Sequence, residues 1–195
     1  MPNAAALTDR FDRALLYATH VHGGQLRKGT SVPYVAHLLA VAATVLEYGG
    51  SEDMAIAALL HDAAEDQGGE PRLADIRNRF GDRVADIVRA CSDSITGTGQ
   101  PKADWHQRKA RYLAHLAAAD PDTLLVSLAD KIHNARSILR DLRKPEVGAA
   151  VWARFKPARA DTIAQYRALA QTFAKHLPGQ LADELGEIVD ALEQA

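Results

Sequence analysis

The stretch SEDMAIAALLHDAAED, residues 51–66, decides how this chain is read. Ser51 stands before two acids and then a run, Ala55–Leu60, without a polar side chain. A serine in that place is a helix N-cap, and Glu52 and Asp53 suit the positive end of the helix dipole. A helix that is apolar all round belongs in a protein interior. Yet this one ends in His61, Asp62, Glu65 and Asp66. His61 and Glu65 are four apart, as are Asp62 and Asp66, so on a continuous helix each pair shares a face. Three acids at a helix C-terminus oppose the dipole. A divalent cation would offset that repulsion.

Working outward, helical periodicity continues nearly everywhere and strand alternation is almost absent. Thr8 caps a helix carrying Phe11, Leu15 and Ala18, which ends at His22-Gly23-Gly24. A second begins near Pro33 and stops at Gly49-Gly50. After QGGEP, expected as a loop, come LADIRNRF (73–80) and DRVADIVRACSD (82–93). SITGTGQP (94–101) is a loop by composition, and DWHQRKARYLAHLAAA (104–119) is a helix. Pro121 opens the longest helix, with Leu124, Leu128, Ile132, Ala135, Ile138, Leu139 and Leu142 on one broad face, and Pro145 ends it. Two helices follow, at about 146–176 and 179–194, with Pro157 as a break point in the first. The expectation is an all-α fold in which residues 1–195 form one helical bundle.

Composition narrows the function. The 195 residues are 47% apolar and 25% charged, with a formal charge of −2. That balance fits a globular domain and disfavours nucleic-acid binding driven by net charge. Cys91 is the single cysteine, so no internal disulfide forms. The N-terminal MPNAAALTDRFDRALL carries charges among its apolar residues, unlike a signal peptide, and no stretch has the apolar length of a membrane span. A cytoplasmic protein without a membrane partner is expected.

Two further places join the His-Asp pair. In GGQLRKGTSVPYVAHLLAV (23–41), a loop holding Arg27 and Lys28 leads into a helix with His37 in its first turn. In SLADKIHNARSIL (127–139), Asp130 sits among Leu128, Ala129 and Ile132, four residues before Asn134. Taken singly, each has a plain reading. A histidine there bonds structurally, an acid pairs with Lys131 or Asn134, and a basic dipeptide is a solvated turn. Together, His37, His61, Asp62 and Asp130 offer two imidazoles and two carboxylates. That mixed set suits Mn²⁺ and can also take Fe, Zn or Co. A water on such an ion is a usable nucleophile near neutral pH.

These residues, in this order, resemble the HD-domain metal-dependent phosphohydrolases, and more narrowly the (p)ppGpp hydrolase domains of the RelA/SpoT family and their small single-domain relatives. The resemblance runs through HGGQLRKGTSVPYVAH, AALLHDAAED, FGDRVADIV, WHQRKARYLAHL and SLADKIHNARSIL. It implies that His37, His61, Asp62 and Asp130 are metal ligands and that Glu65 and Asp66 orient or activate the attacking water. It implies Arg27 and Lys28 as the basic loop of the nucleotide pocket, and Asn134 beside the substrate sugar. It further implies Arg108 and Lys109 near the phosphates and Tyr166 as an aromatic near the nucleotide; in the mechanism this suggests, Arg136 is an auxiliary charge. The implied activity is removal of the 3′-pyrophosphate of guanosine polyphosphates, aided by Mn²⁺. Residues 146–195 are too few for the family's synthetase domain and read as helices, so degradation without synthesis is expected.

The chain departs from the family pattern at three points. Gln67 stands where the family often has threonine after the acidic pair, Leu38 where it often has proline, and Cys91-Ser92-Asp93-Ser94 where it has a TDD-like stretch. These lie around the pocket and bear on substrate identity. The alternatives are another nucleotide such as NADPH, or a nucleotide-sensing module without turnover. Trp105, Tyr112, Trp152, Phe155 and Phe173 read as packing, Arg111 as part of a wet helix face, and His20, His22, His106, His115, His133 and His176 as residues without a functional role. The last two helices can close the pocket or support a homo-oligomer.

Overall fold

A computed structural model describes residues 6–95 and 103–195. Residues Thr96–Pro101 of the expected 94–101 loop therefore lie outside the described residues. All regular elements among the described residues are helical, joined by one isolated bridge between Leu26 and Pro33. They are α1 (Asp9–Val21), α2 (Val35–Glu47), α3 (Glu52–Leu60), α4 (Ala63–Asp66), α5 (Gly69–Phe80), α6 (Asp82–Cys91), α7 (Trp105–Leu116), α8 (Pro121–Leu142), a 3₁₀ segment (Gly148–Arg154), α9 (Arg159–His176) and α10 (Gln180–Gln194). No described helix is long and apolar enough to cross a membrane.

The starts are written in the sequence. Thr8 and Ser51 accept from backbone N–H groups at the openings of α1 and α3. Asp104 and Asp120 each accept from two, at the openings of α7 and α8. Each satisfies donors that no helical partner reaches. α3 is the hub of one half. Every residue from Met54 to Leu60 is buried, between α1, α2, α6 and α8. The second half gathers α7, α9 and α10 on the other flank of α8, around Leu116, Leu128, Ile132, Phe173 and Leu185. α8 supplies Val126 and Ala129 to the first cluster and Leu128, Ile132 and Ala135 to the second.

Three expectations change. The stretch 51–66 is two helices, with the chain bending at His61-Asp62. Asp62 takes φ −94°, ψ −7°, the bridge region that suits a sharp turn. On one α-helix adjacent side chains diverge by about 100°; the bend instead lets His61 and Asp62 face the same point. QGGEP is largely helical, because Gly68 at φ +127° makes the turn and Pro71 falls in the first turn of α5, where a missing N–H costs little. The segment 146–176 is a 3₁₀ turn and a separate α9, parted around Pro157.

Phe173 is wholly buried in the second cluster. Phe173→Ala is expected to cost about 3–5 kcal/mol of stability, read from urea unfolding; a loss under about 1 kcal/mol would mean that this flank of α8 is not a packed core.

Candidate functional site

The loop 25–34 is pinned by Arg27 N–H to Val32 C=O (2.8 Å) and Tyr34 N–H to Gln25 C=O (2.8 Å). It delivers His37 into the first turn of α2. The α3–α4 bend brings His61 and Asp62, and α8 brings Asp130. His37 Nε2 lies 3.3 Å from His61 Nε2, 3.3 Å from Asp130 Oδ1 and 3.6 Å from Asp62 Oδ2. His61 Nε2 lies 2.9 Å from Asp62 Oδ2 and 3.6 Å from Asp130 Oδ1. The structure thus brings all four sequence-selected ligand candidates to one point. His37, His61 and Asp130 are nearly fully buried.

The donor chemistry fits a cation. His61 Nδ1 is 2.8 Å from the Ala58 carbonyl oxygen, which can only accept, so Nδ1 carries the hydrogen. In the neutral ring Nε2 is then a lone pair, and it faces two carboxylate oxygens. Lone pairs converging in a buried place need a positive charge between them. Without an ion a proton takes that part. Burial alone would lower the His61 pKa, but Asp62 and Asp130 hold it well above the usual imidazole range. Burial would likewise raise both carboxyls, yet His61 depresses Asp62 and Lys131 depresses Asp130.

A second ring of side chains orients these groups. Tyr34 Oη donates to Asp62 Oδ2, and Lys131 Nζ and Asn134 Nδ2 each donate to Asp130, at 2.5 Å. His133 Nδ1 lies 2.7 Å from His37 Nδ1. Burial, with His37 and Arg27 nearby, lowers the His133 pKa to about 4, so at neutral pH this ring is uncharged and can accept from His37 Nδ1–H. In sequence His133 has no expected role, since it diverges by about 100° from its neighbour Asn134 on a helix. The signal was there in another register: His133 is three residues after Asp130, and so on its face of α8.

A cavity of about 540 Å³ opens beside this cluster. Arg27, Lys28, Lys109, Lys131 and Arg154 bring cations to it, and Trp105, Tyr112, Phe155 and Tyr166 bring rings. Asn134 and Asp66 also line it. Lys28 is exposed. Arg27 Nη2 donates to Asn134 Oδ1 at 2.5 Å and the guanidinium lies over the Tyr34 ring. Burial pushes the Tyr166 phenol up, so it stays protonated. Trp105, Tyr112 and Phe155, expected as packing, also line the cavity, and Tyr112 is a core residue whose hydroxyl bonds Ser127.

Other placements differ from expectation. Arg108 is absent from the described cavity wall and pairs with Asp93 Oδ1 at 2.6 Å, while Lys109 holds the other Asp93 oxygen. Neighbours on a helix diverge, so only Lys109 also reaches the cavity. Glu65 Oε2 accepts the backbone N–H of Asp93 at 3.1 Å. Arg136 turns away to Glu184 of α10, two residues past Asn134 and on the far side of α8. Of the last helical segments, the 3₁₀ segment and α9 line the cavity, and α10 does not. Arg154 donates to Asp141 Oδ2 at 2.6 Å and crosses Gly29 so closely that a Cβ there would meet its Cδ at 2.7 Å.

A family model described as HD domain matches residues 14–163. A guanosine-3′,5′-bis(diphosphate) 3′-pyrophosphohydrolase of Aquifex aeolicus is 36% identical over 131 residues, 67% of this chain and 18% of that protein. A mouse protein of the same activity is 33% identical over 127 residues, 64% of this chain and 66% of its own length. The solved structure of a metazoan ortholog of SpoT, which hydrolyzes ppGpp, superposes with TM-score 0.72 at 25% identity over 96% of this chain and 97% of its own. The chain spans less than a fifth of the A. aeolicus relative.

Asp93 gives a pH test. Burial would raise its carboxyl, but Lys109 and Arg108 hold it down at about 2, below its ordinary 3.8. Its stabilising effect is present above pH 3.8 and is lost as pH falls towards 2. Stability of the wild type should therefore fall more steeply than that of Asp93→Asn over this window, measured by urea unfolding. Equal slopes would exclude the pairing.

Proposed function

Because the chain belongs to the HD-domain family, we propose that it is a metal-dependent phosphohydrolase that removes the 3′-pyrophosphate of guanosine 3′,5′-bis(diphosphate) and its 5′-triphosphate form. The observation that carries this is one juxtaposition: the buried His37–His61–Asp62–Asp130 cluster opens into a cavity of about 540 Å³ with cationic side chains and aromatic walls. Cations suit a ligand with several phosphates, and rings suit its base. The names of the relatives agree with that chemistry.

Mn²⁺ is the ion we assign to His37, His61, Asp62 and Asp130. When bound, it supplies a Lewis acid and lowers the pKa of a coordinated water. The remaining work falls to the chain. Asp66, on the cavity wall, accepts the proton of the attacking water, while Glu65 ties α4 to Asp93. Oxygen of that water bonds to the phosphorus attached to the nucleotide 3′-oxygen. The bond from that phosphorus to the 3′-oxygen breaks, and the 3′-oxygen takes up a proton from solvent as Asp66 gives its own back, leaving GDP or GTP and pyrophosphate. Lys109, Lys131 and Arg27 offset charge on phosphate oxygens. Lys28 binds at the mouth, Asn134 lies at the sugar, and Tyr166 closes the wall. Arg108 acts by fixing Asp93. We place the activity in a single domain over residues 1–195 of a cytoplasmic protein.

The test is a metal-dependent assay over ppGpp, pppGpp, NADPH and dNTPs. Pyrophosphate release from the first two with Mn²⁺, abolished by excess EDTA, is expected. Phosphate release from NADPH alone would give the site to another nucleotide, and metal uptake without any turnover would make it a sensor. Asp66→Asn should lower kcat about 10²- to 10⁴-fold. Lys28→Glu should raise KM with kcat nearly unchanged; the reverse pattern would place Lys28 in the chemistry.

A further inference from the structure

Gln67, where the chain departs from the family pattern, has a partner. Its Nε2 donates to Gln25 Oε1 at 2.8 Å. The same Gln25 oxygen lies 2.8 Å from His22 Nδ1. Gln25 Nε2 in turn donates to Asp66 Oδ2 at 3.0 Å. We propose that Gln25, clamped by Gln67 and His22, is a positioning residue that aims the Asp66 carboxylate into the cavity. This rests on the reading of Asp66 as the base.

Three observations support the arrangement. An amide has two faces that a simple flip exchanges. Here two donors meet on one atom, so the oxygen must stay on that side and the NH₂ must point at Asp66. Next, His22 is itself held: it is buried at 3% exposure and stacks on Tyr34, with ring centroids 5.1 Å apart, while Tyr34 bonds Asp62. The clamp thus shares a wall with the ligand cluster. Finally, Asp66 is exposed and ends a four-residue helix, so hydrogen bonds rather than burial set its direction. An uncharged amide suits a base. A lysine or arginine there would hold the carboxylate too, but would draw its charge and lower its basicity. The NH₂ takes Oδ2.

The experiment has two arms, both on the full chain. In the first, Gln25→Leu and Gln67→Leu are assayed with Mn²⁺ and ppGpp. Gln25→Leu is expected to lower kcat about tenfold or more, with KM within about twofold. Gln67→Leu should lower kcat less, and the double variant should be no worse than Gln25→Leu alone. In the Asp66→Asn background, Gln25→Leu should cost nothing further; a full additional loss there would overturn the proposal. In the second arm, ¹⁵N NMR with Zn²⁺ in place of paramagnetic Mn²⁺ follows the Gln25 side-chain amide. Its protons should exchange slowly and shift on Asp66→Asn and on Gln67→Leu. Free exchange would overturn the clamp whatever the turnover. A protected amide in a protein that hydrolyses no nucleotide would remove the functional reading and leave the clamp standing. If Gln25→Leu does not fold, Gln67→Leu alone must still show the lowered kcat and the amide shift.

Discussion

Everything at this site depends on an electrostatic demand. Two imidazole Nε2 atoms lie within 3.6 Å of each other and of a carboxylate oxygen from each of Asp62 and Asp130, in a buried place. His61 cannot relieve the crowding by turning its ring, because Nδ1 is tied to the Ala58 carbonyl. A positive charge must sit among these groups, and the fold spends its most rigid parts on arranging that. α3 is buried from Met54 to Leu60 and leads into the bend that holds His61 and Asp62, while α8, the longest helix, carries Asp130.

The surrounding ring follows from the same demand. Lys131, Asn134 and Tyr34 all donate to the carboxylates, so each acid keeps an oxygen facing inward. His133 lets His37 present Nε2 to the centre. Asp93 gathers Arg108 and Lys109 into one ion cluster and takes Glu65 on its backbone. The acidic bend is thereby anchored to the start of α7 as well as to α3. Charge is passed outward in alternating signs, which keeps each buried ion paired.

Much of this was legible in the residues. Caps at Thr8 and Ser51 and the proline at 121 set helix starts, and apolar faces set what is buried. His37, His61, Asp62 and Asp130 stood out because polar residues interrupted apolar runs. The bend at His61-Asp62 was not legible, since nothing in AIAALLHDAAED breaks a helix; tertiary packing and the ligand cluster do that. Arg108 and Arg136 show a second limit. A basic residue near a motif can point either way, and a turn of about 100° per residue decides between phosphate and ion pair. Gln25 and Gln67 show a third, because amides acquire meaning only from partners brought together by the fold.

Arg154, on the cavity wall, lies directly across Gly29. One contributes an absence of side chain, the other a guanidinium laid across it and fastened to Asp141. Gly29 cannot gain a side chain unless Arg154 gives way. Relatives of this protein that carry a larger residue at position 29 should carry a shorter one at position 154, so that two sites far apart along the chain drift through evolution as a pair.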